Sequence, residues 1–160
     1  MIEYFIRHGS GGSSSIAVPD ETINKLWKEN KIAIHFPGPG DQDSSSLDPR
    51  DYIKPKAKYA IEVFSEINDN GGYVMAHFRT KPDRVKIGII MQNSFEPMES
   101  VWTTIPGRIA ILKTLQFKTE IPHIRIDNVQ ELWSKIHRRK TLVRWRSASG
   151  KLKDLILSNM

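Results

Sequence analysis

Histidine and the acidic residues are the types in this chain best suited to proton transfer or metal binding, and their spacing argues against both. The five histidines are His8, His35, His77, His123 and His137. No two stand four apart, as a helical zinc site needs, and there is no H-E-x-x-H. A G-x-S-x-G elbow and a P-loop lysine motif are also absent. Glu62 and Glu66 have the spacing of ordinary solvated acids on a helix, and Asp83 falls in a turn pattern. The chain is therefore expected not to be an enzyme, with no catalytic residues, no metal and no cofactor. A histidine in a strand is more often structural than a ligand. His35 and His77 are nonetheless the two placed to hydrogen-bond the edge of a base.

The second chemistry on offer is the binding of a polyanion. Residues 1–107 carry 12 Lys/Arg against 14 Asp/Glu, whereas residues 108–160 carry 12 against 4. A basic third of a domain favours nucleic acid, because each phosphate contact releases counterions. Lys135, Arg138, Arg139, Lys140, Arg144 and Arg146 are the expected phosphate contacts, with Lys151 and Lys153 behind them. An aromatic side chain at a loop mouth can stack on an unpaired base. Phe36 precedes a long loop, Tyr73 opens a strand and Trp102 lies within one, so these three are the stacking candidates. Trp27 and Trp133 fall on apolar helix faces. Trp145 sits between Arg144 and Arg146, so strand alternation sends it inward if the arginines face water.

These residues must be held by about six strands and several short helices. "IEYFIRH" reads as a strand, "PDETINKLWKEN" as a helix with Ile23, Leu26 and Trp27 on one face, and "KIAIHF" as a buried strand. Between the first two runs a Gly/Ser stretch. Ser10, Gly11 and Gly12 there either present backbone N–H groups to a ligand or belong to a plain connector. Pro37–Pro55 is loop by composition. "KAKYAIEVFSEINDN" is helical, with Ala60, Ile61, Phe64 and Ile67 on one side, and "GG" at 71–72 ends it. Strand patterns follow at Tyr73–Phe78, Arg84–Met91 and Glu99–Ile105, with "TKPD" as a hairpin turn between the first two. "RIAILKTLQF" is one strand or two. "NVQELWSKI" is a short helix, "KTLVRWR" a strand and "KLKDLILS" a closing helix.

One domain over 1–160 with a long loop at 37–55 is expected, of class α+β. Its sheet should be curved and mostly antiparallel, or a small β-barrel, with flanking helices. With 39% hydrophobic residues and a mean hydropathy of −0.42, the chain suits a water-soluble protein. No apolar run approaches the length that spans a bilayer, so no membrane partner is expected. "MIEYFIRHG" lacks the pattern of a signal peptide, and the chain has no cysteine. A cytoplasmic location follows as the expectation.

The order of these segments resembles PUA-like modules of the EVE and YTH-like group. In those modules a strand enters a Gly-containing loop and a helix, and then comes a strand of the type G-I-A-I-G-W. A helix follows, and after it a G-D-x-V strand pairs with a G-I-G-x-V strand. This chain offers "KIAIHF", "NDNGGYVMAHF" and "VKIGII" in that order, with "IAILKTLQFKTEIP" and "KTLVRWR" resembling the late strands. His35-Phe36 stands where Gly-Trp is commoner, and Gly72-Tyr73 where Gly-Asp is commoner. The resemblance implies a small barrel with helices at its side and a pocket at one end for a flipped, often methylated base. It implies no cofactor. Similar modules lead modification-dependent restriction enzymes, so a defence setting is expected, with DNA favoured over RNA as partner and a nuclease or motor subunit alongside. The alternative is a protein-interaction or regulatory domain that docks through loop 37–55.

Overall fold

A computed structural model describes residues 1–9, 19–36, 46–101, 109–118, 122–136 and 140–160. Among the sequence candidates, Ser10, Gly11, Gly12, Trp102, Arg138 and Arg139 lie outside the described residues, as does the first half of the 37–55 loop.

Two sheets form the frame. The larger joins β1 (Glu3–His8), β3 (Gly72–Phe78), β4 (Arg84–Ile90), β7 (His123–Arg125) and β8 (Leu142–Arg144) in the order β7-β4-β3-β1-β8. β1 runs parallel to β3, Glu3 opposite Tyr73 through His8 opposite Phe78, and the other pairings are antiparallel. The smaller sheet is antiparallel, β2 (Lys31–Ile34), β6 (Ile109–Gln116) and β5 (Glu96–Val101) in the order β2-β6-β5. "RIAILKTLQF" therefore contains a single strand, and β5 starts three residues before the expected Glu99.

The parallel β1–β3 pair needs a crossover, which carries α1 (Asp20–Glu29) and α2 (Pro55–Asn70). α3 (Gln130–Trp133) and α4 (Lys151–Ser158) come late in the chain. Strand alternation sorts the core into two layers. Tyr4, Ile6, Val74, Ala76 and Phe78 face α1, α2 and the smaller sheet, while Phe5, Tyr73, Met75, Val85 and Ile87 face α3 and α4. In α2 the expected face is the buried one, with Ala57 and Val63 added to Ala60, Ile61, Phe64 and Ile67. None of the helices among the described residues is long and apolar enough to cross a membrane.

The α+β class holds, but the barrel does not form: among the described residues neither sheet closes. The sheets meet instead at an isolated antiparallel bridge between Ile90 and Phe117, where the Lys118 N–H donates to the Ile89 carbonyl at 2.7 Å. A second link is His8, whose ring reaches from β1 to the Ala33 N–H of β2. The latter half of the 37–55 loop is also more ordered than its composition suggests. Pro49–Asp51 make a 3-10 turn capped by Asp48, and Tyr52 is buried at 1% exposure with its hydroxyl donating to the Ser46 carbonyl at 2.8 Å.

The end of α2 is set by two glycines with different reasons. Gly71 has φ +71°, where its N–H still reaches the Ile67 carbonyl at 2.7 Å. At Gly72 the constraint is space, since a Cβ would stand 2.6 Å from Cε2 and 2.8 Å from Cδ2 of Tyr4. Gly72→Ala is expected to cost about 1–3 kcal/mol by overpacking. The check is the urea midpoint, and an unchanged midpoint would mean the Tyr4 ring yields freely.

Candidate nucleic-acid interface

Among the described residues, the last strand of the larger sheet, β8, has β1 on one side only. Two clefts flank this edge. The larger, about 520 Å³, runs between the start of α2 and the entry to β8, with Phe36, Lys56, Tyr59, Lys140 and Leu142 in its wall. The smaller, about 340 Å³, is lined by Tyr59, Lys135, Lys140, Arg144, Trp145 and Arg146 among others. Tyr59 and Lys140 belong to both, so the clefts are contiguous around one phenol ring. Their sizes suit small-ligand sites, which typically span roughly 300–1,000 Å³.

Helix periodicity explains how Tyr59 comes to be there. Ala57, Ala60 and Ile61 point into the core, which leaves Lys56 and Tyr59, three apart, on the flank beside β8. Two cations lie over the Tyr59 ring: Lys140 Nζ at 4.4 Å and Arg144 Cζ at 5.8 Å from its centroid. The α2 N-terminus, with Pro55 at its first position and no side-chain cap, opens on the larger cleft and adds partial positive charge.

The two cations are held differently. Arg144 donates from Nε and Nη2 to Glu66 Oε2 at 2.9 and 2.6 Å, and its Nη2 is 3.5 Å from Glu62. The Tyr4 hydroxyl donates to the other Glu66 oxygen at 2.6 Å. The Arg144 hydrogen bonds hold the Glu66 carboxyl below its usual range, and burial pushes the Tyr4 hydroxyl up. Arg144, expected as a phosphate contact, thus has its charge matched by carboxylates of α2 while its guanidinium lies against the Tyr59 ring. By contrast, no carboxylate of the described residues lies within ion-pair distance of Lys56, Lys140 or Arg146. Lys135 has, among the described residues, only the solvent-exposed Glu131, at 3.7 Å.

The structure brings Phe36, Lys135, Lys140, Arg144 and Arg146 to one edge. It does not bring Tyr73 or His77 there. Tyr73, at 7% exposure, belongs to the core layer on the opposite sheet face and offers no ring to a ligand. His77, four residues on, shares that face. Its ring packs against Trp133 and its Nε2–H donates to the Pro82 carbonyl at 3.1 Å. Burial lowers its pKa. His35 is next to Phe36, but its Nδ1 is engaged by the Ile111 carbonyl at 3.2 Å. Trp145 is core as alternation requires, its Nε1–H donating to the Lys135 carbonyl at 3.1 Å. Among the described residues no group of three His, Asp or Glu side chains is gathered as a metal site would need.

Tyr59 and Lys56 are the site residues that motif reading passes over. The available signal was an aromatic on the polar flank of an amphipathic helix, beside rather than within its apolar stripe.

Fold and site together define an α+β protein of two sheets, neither closed among the described residues, with a cationic, aromatic-walled double cleft at one sheet edge. Compared with known proteins, the chain matches no family model, no curated protein and no solved structure.

Proposed function

We propose that this chain is a non-enzymatic nucleic-acid-binding module that takes an unstacked base into the cleft walled by Tyr59 and Phe36. Lys56, Lys135, Lys140 and Arg146 track the flanking phosphates. The observation that carries this reading is the gathering of Lys56, Lys135, Lys140 and Arg146, none with a buried carboxylate partner among the described residues, in the clefts around one accessible aromatic ring. Stacking platforms combined with a positive groove are how single strands are held without reading every base. The excess of Lys/Arg over Asp/Glu in residues 108–160 supports it, as does the resemblance of the segment order to PUA-like modules. In keeping with that resemblance, a base carrying a methyl group is the favoured occupant, because a modified or unpaired base is cheaper to extrude from a duplex. DNA is favoured over RNA, and a nuclease or motor is the expected protein alongside.

Fluorescence anisotropy with single-stranded oligonucleotides, plain and base-methylated, at several salt concentrations is the test. Affinity should fall with salt by about 0.7 log units per log unit of salt for each phosphate held. Replacing Lys135 and Arg146 with alanine should flatten that slope by about 0.7 for each phosphate no longer held, whereas methylation should raise affinity. Absence of binding at low salt rejects the reading. Equal binding of both oligonucleotides leaves a general single-strand binder.

A further inference from the structure

Of the two cations over Tyr59, only one can leave. Arg144 is tied down by Glu66 and Glu62. Lys140 is exposed, lies in the walls of both clefts, and touches the ring at 4.4 Å with no carboxylate of the described residues within ion-pair distance. A base stacking on the exposed part of this ring must displace the Lys140 ammonium. A nucleoside that does so forfeits the cation–π contact and returns nothing to the lysine. A nucleotide brings a phosphate that the displaced ammonium can pair with, a charge-assisted contact stronger than the one given up.

We infer that Lys140 is a specificity-determining residue, which makes this site select a phosphorylated nucleotide unit over a bare nucleoside. Lys140 acts as an occupant of the stacking position and as the phosphate ligand in turn. The inference rests on the nucleic-acid reading above, and it deepens that reading by naming the minimal ligand as a nucleoside monophosphate or the same unit within a strand.

The experiment is an NMR titration of the full chain with a nucleoside and with its 5′-monophosphate, read on the Tyr59 ring and the Leu142 amide. Wild-type protein, Lys140→Met and Lys140→Arg are compared. Methionine keeps the length and apolar stem but removes the charge, and the exposed position makes misfolding a minor concern that a thermal melt checks. Wild type should favour the monophosphate by about tenfold. Lys140→Met should weaken the monophosphate by about that factor while binding the nucleoside equally well or about 2–5-fold better. Lys140→Arg should restore the preference. If Lys140→Met leaves the preference intact, or weakens both ligands alike, the inference is overturned. Oligonucleotide binding of the same proteins, measured by fluorescence anisotropy, separates the role of Lys140 from the nucleic-acid reading. Wild-type binding to oligonucleotides with an unaltered nucleotide preference in Lys140→Met sinks only the role of Lys140. No wild-type binding to either mononucleotide or oligonucleotide sinks both.

Discussion

Replacing His8 with leucine is expected to cost the fold about 2–5 kcal/mol, because two backbone groups, one buried and one partly buried, lose their partner at once. The His8 Nδ1–H donates to the His77 carbonyl at 3.0 Å on β3, and Nε2 accepts from the Ala33 N–H at 3.0 Å on β2. The ring therefore ties the two sheets together. It also stacks on Phe78, with centroids 4.2 Å apart and planes at 12°. Leucine fills much of the volume and satisfies neither hydrogen bond. The same residue gives the protein an acid-sensitive joint. Burial pushes the His8 pKa down from 6.5 to about 4, so the native state keeps it neutral where the unfolded chain takes up a proton. Above pH 6.5 both states are neutral and nothing is lost. As pH falls from 6.5 toward 4 the unfolded state binds the extra proton, and stability should decline by about 3 kcal/mol in total. His77, lowered by burial as well, adds in the same direction. Glu66, whose carboxyl is held below 4.5, contributes acid sensitivity only further down. Urea denaturation of wild type and His8→Leu at pH 7, 6 and 5 isolates the histidine. The variant should start lower and lose less on acidification. Parallel curves with a common midpoint would show that His8 is a bystander.

Tyr59→Ala is expected to weaken binding of a single-stranded oligonucleotide about 10–100-fold, the loss of one base–aromatic stack. Tyr59→Phe should remain within about twofold of wild type, since stacking and the cation contacts use the ring face rather than the hydroxyl. Tyr59 is partly buried at the edge of the main core layer, so a thermal melt of each variant must accompany the binding curve. Alanine is expected to lower the melting temperature slightly while leaving one cooperative transition. Equal affinity of Tyr59→Ala and wild type would remove the ring from the site, and with it the reason for the two clefts to act as one.

Tyr73 and Tyr59 together show where reading along the chain succeeds and where it stops. Tyr73 opens a strand and looks available. Its register opposite Glu3 and the parity of β3 put it under the late helices instead. Tyr59 lies inside a helix whose apolar face was plain, yet its importance comes from Lys140 and Arg144, some eighty residues later, brought beside it by the pairing of β8 with β1. Arg144 likewise reads as one of several basic side chains until Glu62 and Glu66 are seen beneath it.

From residues alone came the helical stripe of α2, the inward turn of Trp145, the hairpin between β3 and β4, the α+β class and the crowding of positive charge late in the chain. Each depends on spacing between near neighbours, or on a count, and needs no partner from elsewhere. Sheet order and, among the described residues, the open edge at β8, the failure of either sheet to close and the choice of which cations have no carboxylate partner were settled only by tertiary structure. Those are properties of contacts between residues far apart in the chain, where a one-residue change of register turns every side chain of a strand to the other face.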